Sequence, residues 1–263
     1  MYHGRGSAVK ITVLARPGSS TAILLNWLVR EGYSDLEVIL EASPKRSHQI
    51  RQRARRLGLR HALGQALFVA VAVPFLRRQV AERRRALLTE YNLDDQMPLL
   101  KPTLAVETIN DPVVAARLKQ TPPRVVLVNG TRIIRVPVLM ATSSPFINTH
   151  VGITPDYRGV HGGYWALWNN EPEKFGVTLH LVDEGVDTGK ILAQAVARPT
   201  RNDNFASYAL LQQIAAFSKL KKLLETIERD EPLTPSISDG GAGKQWFHPT
   251  LLQYARGRLR GVR

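Results

Sequence analysis

The feature that most constrains the fold is a strand, a tight turn, a helix and a second strand near the start of the chain. Residues 9–15 form an apolar run rich in β-branched residues, which predicts a buried strand. A turn follows, and residues 21–30 are predicted as a helix with Ser19 or Ser20 as N-cap. The second strand is predicted at residues 36–41. This order predicts an α/β fold with a doubly wound, mostly parallel, Rossmann-like sheet.

Later segments continue this alternation of strands and helices. Further strands are predicted at residues 124–129, 146–150 and 176–182, and further helices at 110–119, 163–169 and 204–229, the last capped by Asn202 or Asp203. We therefore expect one main domain over residues 1–231. Residues 232–263 are rich in Pro, Gly and Ser at their start, which predicts a C-terminal tail on the surface.

A helical insertion is predicted at about residues 44–92. It is rich in arginine, and at its centre residues 61–76 (HALGQALFVAVAVPFL) are apolar almost all round. This run is shorter than the roughly 20 residues that span a bilayer, and Pro74 is predicted to end or kink the helix. A buried helix or a dimer contact is favoured over contact with a membrane surface.

The formal net charge of +14 favours anionic partners, although solvated helix faces explain the clusters at residues 45–60 and 77–85 equally well. The chain has no cysteine, which excludes disulfides, thiolate nucleophiles and Cys-ligated zinc. Residues 1–10 lack the apolar core of a secretory signal, so a cytoplasmic location is expected.

Three polar residues point to a chemical site. Asn148 and His150 are two residues apart in an extended segment, so their side chains should lie on the same face. Asp187 lies in a glycine-flanked loop (GVDTG) after the strand at residues 176–182. Because loops at the carboxyl ends of parallel strands converge on one crevice, Asp187 is expected to face His150.

These residue types suit acyl transfer to an amine, which needs no covalent nucleophile. The Asn148 amide can stabilise a developing oxyanion, an interaction typically worth ~3 kcal/mol. As an imidazolium, His150 can donate to the same oxygen or to the leaving nitrogen. The Asp187 carboxylate can raise the pKa of His150 and accept the amine proton. No metal is predicted, because the spacing of the histidines does not suit one.

The segments INTHVGITPDYRG (residues 147–159) and GVTLHLVDEGVDTGKILAQ (residues 176–194) resemble the signature of the folate-dependent formyltransferase superfamily. The likeness extends over roughly residues 10–224, with the insertion as an interruption. The family pattern is Asn-x-His, then Pro-x-Tyr-Arg-Gly, then Asp-x-Gly, and this chain matches each part. The resemblance implies the formyltransferase fold and a catalytic trio of Asn148, His150 and Asp187.

The resemblance also implies 10-formyltetrahydrofolate as cosubstrate. Its pterin ring would lie along the segment after the central strand and against the Asp187 loop. The implied contacts are Asn129, Gly130, Thr131, Arg132, Ile133, Ile134, Val182, Asp183 and Gly185. Gly18, Ser19 and Ser20 stand where nucleotide-using relatives hold the substrate phosphate, at a predicted helix N-terminus that suits an anion. The Gly-x-Gly spacing is missing there, and Ser20 replaces a usual Asn, which weakens the case for a ribonucleotide acceptor.

The favoured function is formyl transfer to the amine of a small acceptor, phosphorylated or not, such as an amino sugar. Two related activities stay open, namely a methionyl-tRNA formyltransferase and a formyltetrahydrofolate hydrolase. Residues 231–263 are too few for the barrel-like second domain of the tRNA enzymes, which counts against the first. A basic, non-catalytic protein that binds nucleic acid or a membrane surface on the same scaffold is the alternative from another class. A homodimer is also left open.

Overall fold

The protein is built around a mixed β-sheet, in a computed structural model that describes residues 9–43, 51, 54–98, 100, 104–236 and 243–263. The strands are β1 (Ile11–Ala15), β2 (Leu36–Glu41), β3 (Leu104–Val106), β4 (Val125–Asn129), β5 (Phe146–His150), β6 (Arg158–Gly159), β7 (Gly176–Leu181), β8 (Ile191–Val196) and β9 (Gln245–Trp246). Seven of them form one sheet in the order β3-β2-β1-β4-β5-β7-β8, and β6 pairs with β9 in a separate ribbon.

The sheet is parallel from β3 to β5 and antiparallel from β5 to β8. This arrangement confirms the predicted α/β class and the mostly parallel, Rossmann-like sheet. The predicted strands at 36–41 and 146–150 have the observed bounds, and the other predicted strands agree within two residues. The sequence prediction missed β3, β8 and the two-residue strands.

Helices cover the sheet and occupy the insertion and the C-terminal segment. They are α1 (Ser19–Arg30), α2 (Leu59–Leu67), α3 (Val73–Gln79), α4 (Ala81–Glu90), α5 (Pro112–Gln120), α6 (Val136–Leu139), α7 (Gly162–Trp168), α8 (Phe205–Glu228) and α9 (Leu251–Leu259). Residues Phe68–Ala72 form a π-helical segment between α2 and α3.

Two hydrophobic cores lie on opposite faces of the sheet, because successive side chains of a strand point to opposite sides. In β1, Val13 contributes to the core that contains α1 and α8, and its neighbour Leu14 contributes to the core that contains α5 and α6. In β4, Leu127 and Val128 divide in the same way. Burial on both faces explains why these strands read as continuous apolar runs.

The helix through the insertion differs from the prediction in two respects. Pro74 was predicted to end or kink it, and the helix does not end there, since it is continuous from Leu59 to Gln79. Proline normally clashes with the carbonyl four residues earlier. Here that carbonyl, of Ala70, lies in the π-helical segment, whose wider turn makes room for the ring.

The same helix is also less buried than predicted. One face packs on the domain through Ala62, Gln65, Phe68 and Leu76, while most of the remaining apolar side chains are exposed. Within the described residues, this is the one helix long and apolar enough to cross a membrane. Of the two favoured interpretations, a buried helix is therefore wrong for the exposed face, and a dimer contact stays a prediction.

The predicted N-caps are shifted along the chain. Gly18 rather than Ser19 or Ser20 precedes α1, without a side-chain cap. Asn204, rather than Asn202 or Asp203, caps α8, and its side chain forms a reciprocal capping box with Ser207. The Asp203 carboxylate instead accepts hydrogen bonds from Thr200.

The C-terminal tail, predicted to lie on the surface, is packed against the domain over the residues that the structure describes. Residues 245–246 pair with β6, and α9 packs its Tyr254 side chain into the main core. The α9 helix begins with a capping box between Thr250 and Gln253. This segment is therefore part of the packed domain.

Candidate active site

A cleft of about 680 Å³ opens where the carboxyl ends of β4 and β5 meet the loop after β7. This size suits a cofactor or a drug-sized ligand. All three residues of the predicted trio line it, as do most of the predicted folate contacts: Gly130, Thr131, Arg132, Ile133, Ile134, Val182, Asp183 and Gly185. The four other predicted binding residues, Asn129, Gly18, Ser19 and Ser20, are not among the residues that line the cleft.

Asp187 is the point at which the predicted trio meets. Its Oδ2 atom lies 3.3 Å from His150 Nδ1 and accepts a hydrogen bond of 2.9 Å from the Gly159 N–H. Its Oδ1 atom accepts a hydrogen bond of 3.3 Å from the Asn148 amide. Asp187 has a φ of 51°, a left-handed conformation that Asp tolerates better than most residues. The expectation that Asp187 faces His150 agrees with this geometry.

His150 is buried and held from two sides. Its Nε2 lies 2.7 Å from the Tyr157 carbonyl oxygen, and because a carbonyl only accepts, Nε2 carries the donated proton. Gly152 allows this close approach, since a Cβ there would lie 2.3 Å from the Tyr157 oxygen and 2.6 Å from His150 Nε2. A side chain at position 152 would therefore push the His150 ring from its place.

Asn148 is oriented by His180, a residue that the sequence analysis placed only as part of a strand. His180 Nδ1 lies 2.7 Å from the Leu181 carbonyl oxygen and donates to it. In a neutral ring, Nε2 is then an acceptor, and it lies 3.1 Å from Asn148 Nδ2. The amide therefore directs both of its N–H groups at His180 and Asp187. Asn148 and His180 are cross-strand partners in the antiparallel pair of β5 and β7.

The protonation states follow from burial and contacts. Burial lowers the pKa of His150, and the Asp187 carboxylate and the hydrogen bond to Tyr157 raise it again only in part. Burial acts to raise the pKa of Asp187, but the contact with His180, the positive charge that His150 carries when it is protonated, and the Gly159 N–H together hold it below the usual value. The pair therefore holds a carboxylate beside a neutral imidazole at neutral pH. Burial therefore outweighs the neighbouring negative charge in setting the pKa of His150.

This pair should make stability depend on pH. The unfolded chain protonates His150 near the ordinary value of 6.5, whereas the folded protein resists protonation to a lower pH. The unfolded state then binds more protons, so the free energy of unfolding should fall as the pH drops below about 6.5. Thermal unfolding between pH 7.5 and 5.5 tests this, and His150→Asn should lose less stability over that window than the unchanged protein. Equal losses would contradict the assignment of His150 as a buried neutral group.

A buried glutamate holds the segment that forms one wall of the cleft. The Glu41 side chain, at the end of β2, is fully buried and accepts hydrogen bonds from the backbone N–H groups of Ile109 (2.8 Å) and Arg132 (3.0 Å). Its carboxylate also pairs with the side chains of Arg16 at 3.2 Å and Arg132 at 3.5 Å. The position of residues 130–134 therefore depends on Glu41, which the sequence analysis did not single out.

The predicted phosphate position at the start of α1 has other contacts. Ser19 lies 3.4 Å from the carboxylate of Asp95, which pairs with Arg84 at 2.6 Å. The hydrogen bond from Arg84 lowers the pKa of Asp95, so Ser19 already lies beside an ion pair whose arginine also donates to its hydroxyl. Asn129 turns toward α1 and donates to the Thr21 hydroxyl at 2.8 Å. Ser19 and Asn129 therefore make their contacts outside the lining of the cleft.

The C-terminal segment forms a further wall of the cleft, which the sequence analysis missed. Gln245, Trp246, Phe247 and His248 all line it. Trp246 stacks on Trp165 with ring centres 4.8 Å apart, and the Arg158 side chain donates to the Gly243 carbonyl. His161 also lines the cleft, with its Nε2 atom 2.9 Å from His248 Nδ1. No grouping of three or more potential metal ligands occurs in the part of the chain that the structure describes.

Comparison with known proteins places this geometry in context. The sequence model described as formyl transferase matches residues 80–219, which is just over half of the chain. A methionyl-tRNA formyltransferase of Synechococcus sp. is 36% identical over 148 residues, covering 52% of this chain and 45% of the relative. The chain spans between about a third and a half of the length of the first curated relatives that it matches.

Two solved structures show the same fold at low sequence identity. One is a Mycobacterium tuberculosis protein to which sugar N-formyltransferase activity has been ascribed, with a TM-score of 0.57, 16% identity, and coverage of 97% of this chain and 88% of that one. The other is HypX of Aquifex aeolicus in complex with tetrahydrofolic acid, with a TM-score of 0.52, 18% identity, and coverage of 92% and 30%.

Proposed function

This chain belongs to the formyl transferase family, and from this premise we propose that it moves a formyl group from 10-formyltetrahydrofolate to the amine of a small acceptor. One observation carries the proposal. Asp187 contacts both Asn148 and His150, although it lies 39 and 37 residues further along the chain. A carboxylate, an amide donor and a buried imidazole then meet at one cleft, which is the set that acyl transfer to an amine requires.

The cleft fits a folate cosubstrate, which when bound supplies a formyl group on a good leaving nitrogen. One wall, residues 130–134, lies outside any helix or strand, so those of its backbone groups that Glu41, Asn110 and Thr131 do not contact can meet the amide-like edge of a pterin. Ile134 and Val182 add apolar surface on either side. The tetrahydrofolic acid complex of the structurally similar HypX supports this choice of ligand.

Asp187 and His150 together serve as the proton acceptor. Because His150 holds its proton on Nε2, its Nδ1 lone pair faces Asp187 Oδ2 at 3.3 Å. These two acceptor atoms can share one incoming proton, and that proton would relieve their mutual repulsion. The acceptor amine can therefore lose its proton to the pair as it attacks the formyl carbon. The pair can then return that proton to the donor nitrogen, which leaves as its bond to the formyl carbon breaks.

Asn148 stabilises the charge that develops on the formyl oxygen. Its contact with Asp187 is long, at 3.3 Å, and weakens further once Asp187 takes a proton. That N–H then becomes available to the formyl oxygen, while the contact with His180 keeps the amide oriented. In this scheme Asn148, rather than His150, donates to the oxygen, because both ring nitrogens of His150 already face partners.

An amino sugar is the acceptor that we favour, in keeping with the activity ascribed to the structural relative from M. tuberculosis. A methionyl-tRNA formyltransferase-like acceptor is the second candidate. It is favoured by the sequence relatives and by the formal charge of +14, which suits an RNA backbone.

The experiment is to mix purified protein with 10-formyltetrahydrofolate and a panel of amines, including amino sugars, nucleotide-linked amino sugars and methionyl-tRNA. Release of tetrahydrofolate is followed by absorbance. We expect release that depends on one class of amine. Release without any amine would assign a hydrolase instead. Absence of both release and folate binding would reject the proposal.

A further inference from the structure

The exposed face of the helix from Leu59 to Gln79 forms an apolar stripe. Six large apolar side chains on it are between 41% and 64% exposed: Leu59, Leu63, Leu67, Val69, Val71 and Phe75. Five of these recur every four residues, so they follow one another along the helix surface. The solvent-facing side of a surface helix normally carries polar side chains. An apolar stripe of this length therefore indicates a surface that lipid or another molecule covers.

Basic residues flank this stripe at both ends. Arg55, Arg56 and Arg60 lie at its start, and Arg77 and Arg78 at its end, all of them exposed. The sequence contains no Asp or Glu between Glu41 and Glu82. An apolar stripe between two groups of arginine is complementary to a surface whose interior is apolar and whose rim is anionic.

We propose that this face docks the protein on an anionic membrane surface, with the helix lying in the plane of the headgroups. The helix cannot span the bilayer in this fold, because its other face is packed on the domain. Phe68 packs against Phe205 and Tyr254 with ring centres 4.9 and 5.1 Å apart. On the same face, Gln65 donates to the His248 carbonyl at 2.7 Å. Only the exposed stripe is available to lipid.

Charge distinguishes the membrane from a second copy of the chain. In a symmetric dimer built on this stripe, either orientation of the two helices would bring arginines of one copy against arginines of the other. An anionic lipid surface neutralises both groups at once. Each basic residue near such a surface strengthens binding by about fivefold.

Docking in this way would bring the cleft close to the lipid. Arg56, three residues before the stripe begins, lines the cleft, and its guanidinium lies 5.7 Å from the centre of the Phe247 ring. Membrane docking is independent of formyl transfer, and vesicle binding is measured without any activity.

The test is co-sedimentation of the purified chain with vesicles of phosphatidylcholine, with and without phosphatidylglycerol. We expect binding to the anionic vesicles only. The double variant Leu67→Glu/Phe75→Glu should lose this binding, and Arg77→Gln/Arg78→Gln should weaken it by about 25-fold. The matched control is Met140→Glu, which alters a side chain that is 76% exposed elsewhere on the surface and should bind like the unchanged protein.

Three results would overturn the proposal. The first is equal or absent binding of the unchanged protein to the two kinds of vesicle. The second is unchanged binding of both double variants. The third is sedimentation velocity without lipid that shows a dimer which Phe75→Glu dissociates. Thermal unfolding of each variant checks folding, and the arginine variant keeps the test decisive should the glutamate variant unfold.

Discussion

Replacing Asp187 by asparagine is expected to lower kcat/KM for formyl transfer by about a thousandfold. The substitution keeps the shape of the side chain but removes the negative charge that accepts the amine proton together with His150. It also replaces one of the two carboxylate oxygens, which accept from the Asn148 amide and from the Gly159 N–H, by an N–H₂ group that cannot accept. The measurement is steady-state kinetics with the acceptor that the amine panel identifies.

A matched control comes from Asp156, whose side chain is half exposed and pairs with Lys174 at 2.9 Å. Asp156→Asn changes the same functional group outside the cleft and should alter kcat/KM less than about threefold. Binding of a non-reactive folate analogue checks that the Asp187 variant still folds. A loss of less than about tenfold in the Asp187 variant would remove Asp187 from the role of proton acceptor.

Glu41→Ala is expected to lower the free energy of unfolding by about 3 kcal/mol. The variant leaves the N–H groups of Ile109 and Arg132 without their acceptor, and it leaves two arginines without their buried partner. The loss lies at the lower end of the range for buried ion pairs, because both arginine side chains remain partly exposed. Thermal or denaturant unfolding measures it.

The same variant should weaken folate-analogue binding by about tenfold, because the ligand must then order residues 130–134. Glu37→Ala provides the comparison. Glu37 is also on β2, is nearly as buried, and pairs with Arg117 and Lys10 at the end of the strand away from the cleft. It should reduce stability but leave analogue affinity unchanged. A similar loss of affinity in both variants would show that general destabilisation, and not the anchoring of one wall, is responsible.

The sequence predicts much of this fold because the parallel strands are buried on both faces. Their continuous apolar runs, such as residues 124–129, stand out against the amphipathic helices that separate them. The short motif around Asn148 and His150 and the loop of Asp187 were sufficient to predict which three residues meet. Their convergence was expected from the rule for loops at the carboxyl ends of parallel strands, but β7 runs antiparallel to β5, so that rule does not account for the position of the Asp187 loop.

The remainder of the site depends on contacts that local patterns do not encode. The run at residues 176–182 reads as a strand, but its direction relative to β5 cannot be read from it. The antiparallel pairing is what places His180 opposite Asn148. Glu41 is one acid at the end of an apolar strand, and only the packed structure shows that two backbone N–H groups point at it.

The predictions for the C-terminal tail and for the cap of α8 differ from the structure for a related reason, namely contacts between residues that are distant in the sequence. Residues 243–248 follow a stretch rich in Pro, Gly and Ser, and their place in the cleft rests on long-range contacts with Arg158, Gly159 and Trp165. The cap of α8 shifted by one or two residues because Asn202, Asp203 and Asn204 are all good caps. The choice among them was settled by the Asn204 contact with the Leu76 carbonyl at 3.1 Å.

The ribbon of β6 and β9 gives the C-terminal segment a direct connection to the reacting groups. Gly159 pairs with Trp246 on one side and donates its N–H to Asp187 on the other. Occupancy of the cleft and attachment of this segment are therefore thermodynamically linked. A ligand that contacts Trp246 would stabilise the attached form of the segment. By reciprocity, any molecule that binds the segment from outside would change the affinity of the cleft for its ligand by the same factor.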